Sequence, residues 1–173
     1  FDGDGHSVTI TVDDPSLRYF GFFGCLDSKI DRDSTTSIDD QPTVVVENLT
    51  VNGTVYCSEP YAHVGGIAGC ARGKVEIKNC VNNATVSSLA RGSAGVGGLV
   101  GANKNCVQVS KSNNTGTVNA PGCTVGGLLG EAGIYNGKDP YTPSGNLRSF
   151  SQLHYAYTLE NIVKAMKDAA SKG

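Results

Sequence analysis

The sequence predicts an all-β fold: a short, three-sided parallel solenoid of about four coils, followed by a C-terminal α-helix. Three observations carry this. A glycine-rich hexapeptide recurs at intervals of about thirty residues, a β-branched block follows it at constant distance, and apolar and polar residues alternate between the two.

Val64-Gly-Gly-Ile-Ala-Gly69 returns as Val96-Gly-Gly-Leu-Val-Gly101 and as Val125-Gly-Gly-Leu-Leu-Gly130, with Tyr19-Phe-Gly-Phe-Phe-Gly24 as a degenerate first copy. The clear copies start 32 and 29 residues apart. Val44–Val55 matches Val75–Val86 and Val107–Val118, and both Val64 to Val86 and Val96 to Val118 are 22 residues. Tyr19 to Val55 is 36, so the first copy carries an insertion, placed by its polar composition within 27–42.

Val75 and Ile77, like Val107 and Val109, alternate with polar residues, as a half-buried strand does. Thr85-Val86 and Thr117-Val118 are β-branched pairs that favour strand. Glycines in the hexapeptide mark bends or close backbone approach. Each unit therefore holds three short strands, one per side of a coil, and buries its apolar residues only by stacking on its neighbours.

Stacking makes columns: Val55, Val86 and Val118; Thr54, Thr85 and Thr117; Leu49, Cys80 and Ser112; Gly66 and Gly98; Gly69 and Gly101. Cys25 and Cys70 also share a repeat position, so adjacent coils would bring them within disulfide reach, as a bridge or as two stacked thiols. The six cysteines contain no C-x-x-C pair and read either as buried small hydrophobes or as disulfides of an oxidising compartment.

Residues 131–152 are rich in Gly, Pro, Ser and Asn and read as an irregular cap. From 153 to 173 the period changes. Leu159, Ile162, Val163, Met166 and Ala170 form an amphipathic helical stripe with Thr158 as N-cap, expected to cover the solenoid's end or to open a following module. The chain begins at Phe1 within patterned sequence and reads as an excised or processed piece.

The hexapeptide and the block after it resemble the GLUG repeat, and Phe1-Asp-Gly-Asp-Gly-His6 resembles the segment that precedes such repeats. The resemblance covers 1–130 and departs from the pattern at Phe22 and at the insertion. GLUG repeats occur in bacterial surface proteins, adhesins and the non-catalytic part of IgA-specific metallopeptidases. The resemblance implies a right-handed parallel β-helix in a secreted or cell-surface setting, with no enzymatic activity and no defined ligand.

Composition agrees with a module that is not electrostatically driven. Charged residues make up 17% of the 173 and the net charge is −2, which gives no pull toward nucleic acid or anionic lipid. No apolar run reaches the roughly 18 residues of a membrane span.

Candidate chemistry is sparse. Gly95–Gly101 mimics a dinucleotide loop, but Val100 stands at the third glycine position. Gly69–Lys74 mimics a P-loop, but Val75 replaces the magnesium-binding hydroxyl. Asp2-Gly-Asp4-Gly reads first as a turn and second as part of a calcium loop, whose remaining ligands are missing. Asp13, Asp14, Asp27, Asp31, Asp33, Asp39 and Asp40 are the acidic concentrations, read as solvated loops or, second, as carboxylates of a carbohydrate-active β-helix enzyme or a cation site.

His6, His63 and His154 show no catalytic spacing. Tyr19, Tyr56 and Tyr61 are expected near turns, in packing or in glycan or protein contact. Asn48, Asn52, Asn83 and Asn113 each begin an Asn-x-Thr triplet, a glycan acceptor in a eukaryotic secreted protein or simply repeat grammar. An ice-binding solenoid needs threonine ladders, and Thr9-x-Thr11 and Thr115-x-Thr117 read as out of register.

The expectation is a non-enzymatic structural or adhesive module, a rigid spacer or binding surface. It has no catalytic, cofactor or metal residues, and its partners are host glycans, host proteins or neighbouring modules.

Overall fold

The computed structural model describes residues 1–28, 40–89 and 94–132. The expected helix at 153–173 and most of the insertion lie outside these residues. The described chain is all-β, and its pairings are parallel.

The strands fall into four successive layers. The first holds β1 (Ser7–Val12), β2 (Tyr19–Phe20), β3 (Phe23–Asp27) and β4 (Val44–Glu47). The second holds β5 (Thr50–Cys57), β6 (His63–Gly65) and β7 (Ala68–Lys78). The third holds β8 (Val81–Asn82), β9 (Thr85–Ser88), β10 (Gly95–Gly97) and β11 (Val100–Ser110). The fourth holds β12 (Asn113–Asn114), β13 (Val118–Asn119), β14 (Thr124–Gly126) and β15 (Leu129–Ala132).

Each layer contributes to the same three sheets in the same order. The threonine sheet stacks β1 on β5, β5 on β8 and β9, and these on β12 and β13. The glycine sheet runs β14-β10-β6-β2. The long-strand sheet runs β15-β11-β7, with β3 and β4 both pairing β7. Expected columns hold: Val55 pairs Val86 and Val86 pairs Val118, while Cys25 pairs Cys70, and the valine column extends beyond the expectation to Val12, which pairs Val55.

Two expectations about the strands change. The strands of a unit are not all short: the glycine-rich hexapeptide holds the end of one strand, the bend its glycines predicted, and the start of a long one. β6 ends at Gly65, the chain bends at Gly66-Ile67, and β7 begins at Ala68. β7 then continues without a break through the next block to Lys78, so the long-strand sheet has eleven-residue strands in its middle layers. The second change concerns the first layer, where this strand is split. β3 pairs the first part of β7 and β4 the last part, and the insertion leaves the sheet between them, opposite Gly73. Ser28 and Gln41 join its two ends through a side-chain hydrogen bond, and Ser28 Oγ accepts from Lys74 N at 2.6 Å.

Local chemistry explains the corners. Asn48, Asn79 and Lys111 follow β4, β7 and β11 and all adopt left-handed backbone, φ 55°, 52° and 49°. Asparagine tolerates that region better than most residues. Its amide also serves the stack: Asn79 Nδ2 donates to Asn48 Oδ1 (2.7 Å), and Asn48 Nδ2 to Asp2 Oδ1 (2.9 Å).

The core lies between the sheets. One cluster gathers Val46, Val51, Ile67, Val75, Ile77, Leu99 and Val100, and a second gathers Phe20, Val55, Val64, Val86 and Val96. A polar column runs beside them. Asn82, fully buried, donates to Asn114 Oδ1 (2.9 Å) and Ala84 O (3.0 Å) and accepts from Ala84 N, so its polar atoms are satisfied in the interior. A methyl on Gly66 would collide with the Asn82 side chain, and one on Gly98 with Asn114. The paired glycines of the hexapeptide therefore make room for this column.

Candidate binding surface and thiol cluster

Strand alternation divides the threonine sheet. Val51, Val55 and Val86 point inward, and the residues between them point outward. On the outer face Thr9 pairs Asn52 and Thr11 pairs Thr54, and Thr54 in turn pairs Thr85. Asn83 Nδ2 donates to Asn52 Oδ1 (2.9 Å), and the Thr115 hydroxyl donates to Asn83 Oδ1. Thr117 precedes Val118 as Thr85 precedes Val86, and Val86 N donates to Thr117 O.

Thr9, Asn52, Asn83 and Thr115 thus form one column, and Thr11, Thr54, Thr85 and Thr117 its neighbour. The two Thr-x-Thr pairs read as out of register are in register, at the two ends of the same columns. The insertion between them shifted the count. The signal that finds the register is the Thr-Val dipeptide, present at 11–12, 54–55, 85–86 and 117–118. Both columns consist of hydroxyls and amides without a charge. In parallel strands about 4.8 Å apart they form a regular grid of hydrogen-bonding groups.

The triplet asparagines are part of this grammar. Asn52 and Asn83 use their amides in the outer column, and Asn48 uses its own at the corner. Asn113 pairs Val81 at the start of β12.

A second cluster sits on the long-strand sheet. Leu26 and Ala71 point into the core, so their neighbours Cys25 and Cys70 face the other way. Cys70 is fully buried and Cys25 half-buried, and both are free thiols. The disulfide considered for this pair is not formed. Side chains of directly opposed residues on parallel strands project side by side about 4.8 Å apart, wider than the ~3.8 Å Cβ separation of a typical bridge.

Two residues further on, Asp27 pairs Arg72, their side chains 3.1 Å apart. The Arg72 Nε–H is not aligned for a hydrogen bond, so the contact is an ion pair. Asp27 therefore belongs to β3 and not to the acidic loop: like Cys25, it flanks the core residue Leu26 and faces away from it. A hydrogen bond from Cys70, aided by the Arg72 charge, holds the Cys25 thiol below the usual range. The same hydrogen bond together with burial pushes Cys70 up.

The remaining candidates are dispersed. Asp14 caps a turn by accepting from Ser16 N and Oγ, which lowers its carboxyl, and Asp40 lies at the far end of the insertion. Asp31, Asp33, Asp39 and His154 lie outside the described residues. Asp2 accepts from Asp4 N in a turn where Asp4 and Gly5 have positive φ. His6 is exposed beside Asp4.

His63 is buried in the glycine sheet, stacked on Tyr19 at 5.9 Å and accepting from Gly95 N at Nδ1. Burial, then Lys104 and Arg18, lower its pKa to about 4. Tyr19 and Tyr56 are strand residues, while Tyr61 is exposed at a turn with φ 61°. Gly95–Gly101 spans β10 and the start of β11, and Gly69–Lys74 lies inside β7, so both phosphate-loop likenesses are sheet segments. Among the described residues no cluster of metal-ligating side chains occurs, and no helix is long and apolar enough to cross a membrane.

No family model matches the chain, and no curated protein or solved structure matches it significantly.

Proposed function

We propose that the chain is a segment of right-handed parallel β-helix, of GLUG-repeat type, in a secreted or cell-surface protein. It acts as a non-enzymatic spacer whose threonine face is an adhesive surface. The observation that carries this reading is the four-layer register of that face, an uncharged grid of Thr and Asn side chains repeated at strand spacing. Such a grid offers many weak hydrogen bonds over an extended area, which suits a neutral glycan or a protein surface more than a small charged ligand. Stacked sheets sharing one core also supply the stiffness a spacer needs.

The test is an array of neutral and acidic glycans and matrix proteins, probed with the intact chain and with a Thr54→Glu/Thr85→Glu variant. The reading expects capture on a neutral glycan or protein, lost in the variant. Capture that the variant retains would rule out the threonine face. Turnover of an acidic polysaccharide that disappears on Asp13→Ala/Asp14→Ala would replace the whole reading with an enzymatic one.

A further inference from the structure

We propose that Cys25 and Cys70 form an oxidisable dithiol, in which Cys25 reacts with a small-molecule disulfide of the glutathione class and Cys70 resolves the adduct into a reversible bond between the first two layers. The proposal does not depend on what the threonine face binds.

Four observations place the reaction here. The two residues are register partners on β3 and β7, so their Cα atoms lie at strand spacing, about 4.8 Å, inside the range a disulfide spans. Cys25 is half-exposed and Cys70 fully buried, so an outside reagent meets Cys25 first. Arg72 stands beside them with its guanidinium turned to the same outer face, where it favours a thiolate. The pair also sits just before the insertion, where the first layer's strand is split. A bond there ties the interrupted layer to the continuous one.

The chemistry balances in two exchanges. Cys25 thiolate attacks one sulfur of the oxidised reagent, forms a mixed disulfide and releases one reduced thiolate. Cys70 attacks the Cys25 sulfur, forms the Cys25–Cys70 bond and gives its proton to the sulfur it expels, which leaves as the second reduced thiol. The protein dithiol is oxidised and the reagent disulfide reduced by the same two electrons. The side-by-side projection of the two Cβ atoms makes the product strained, hence readily reduced.

The experiment uses the reduced intact chain equilibrated with a series of reduced-to-oxidised glutathione ratios, then alkylated and mapped by mass spectrometry. Expected is a linked Cys25–Cys70 peptide that grows as the ratio becomes oxidising and vanishes when the ratio is reversed. Cys70→Ser is expected to halt at a glutathione adduct on Cys25, accumulating at least tenfold over wild type, while Cys25→Ser forms neither product. Circular dichroism confirms that each variant is folded, with Cys70→Ala replacing Cys70→Ser where it is not. A persistent adduct on Cys25 in wild type, linkage through other cysteines, or no oxidation across the series each overturns the proposal.

Discussion

The first and second layers use the same repeat positions under different conditions. Gly24 and Gly69 both follow the register pair Phe23 and Ala68. A methyl on Gly69 would collide with the backbone of Tyr19 and Phe20, whereas one on Gly24 would meet only Tyr19 O, at 3.7 Å. Val12 and Val55 are likewise partners, yet Val55 is fully buried and Val12 only partly. Val55 has a paired layer on each side and is enclosed, whereas Val12, in the outermost layer of the same sheet, is not. Stability in this architecture therefore resides in neighbours more than in any unit's own composition.

The largest expected effect breaks that comparison at the glycines. Gly69→Ala should destabilise by about 3 kcal/mol or more, since the obstruction is backbone that cannot rotate away, while Gly24→Ala should cost under about 1 kcal/mol. Urea unfolding of the two variants measures both, and equal losses would contradict the account.

Next is acid sensitivity. His63 lies in the second layer, where Tyr19 covers it on one side and Gly95 accommodates it on the other. Its folded pKa, about 4, lies below the ordinary value of 6.5, so the unfolded chain binds more protons between those values. Stability should fall as pH drops from about 6.5 to about 4, by no more than about 3 kcal/mol, and then level off. His63→Gln should remove that component, read as the difference between the two stability–pH curves. A smaller contrast comes from the valines: Val55→Ala should cost about 2 kcal/mol and Val12→Ala about half that. Smallest is the surface pair Glu47–Lys78, 3.1 Å apart across the first two layers, whose coupling in a double-mutant cycle should be the weakest of these effects because solvent and salt screen it.

Much of the stacking was legible because parallel layers in register write their pairing into sequence spacing. Val55 over Val86 over Val118, Cys25 beside Cys70 and Gly66 beside Gly98 all follow from aligning the copies. The bend in the hexapeptide was legible from its glycines, but the length of the strand after it was not: β7 runs unbroken from Ala68 to Lys78 where short strands were expected. The column of Thr54, Thr85 and Thr117 was legible, but its extension to the first layer was missed because the insertion offset Thr9 and Thr11 from their partners, although Thr11-Val12 repeats the marker dipeptide. The Asp27–Arg72 pair arises from side-chain contacts across layers, which composition does not encode, whereas the burial of Cys70 follows one of the two readings of the cysteines.

The most direct test of layered parallel register is nuclear Overhauser contacts of the isotope-labelled chain around Val55, Val86 and Val118. The account predicts staggered amide-to-Hα contacts linking the three valines in series, the pattern of in-register parallel strands. Close Hα–Hα contacts between them, the mark of antiparallel pairing, or valines that share no contacts, would contradict it.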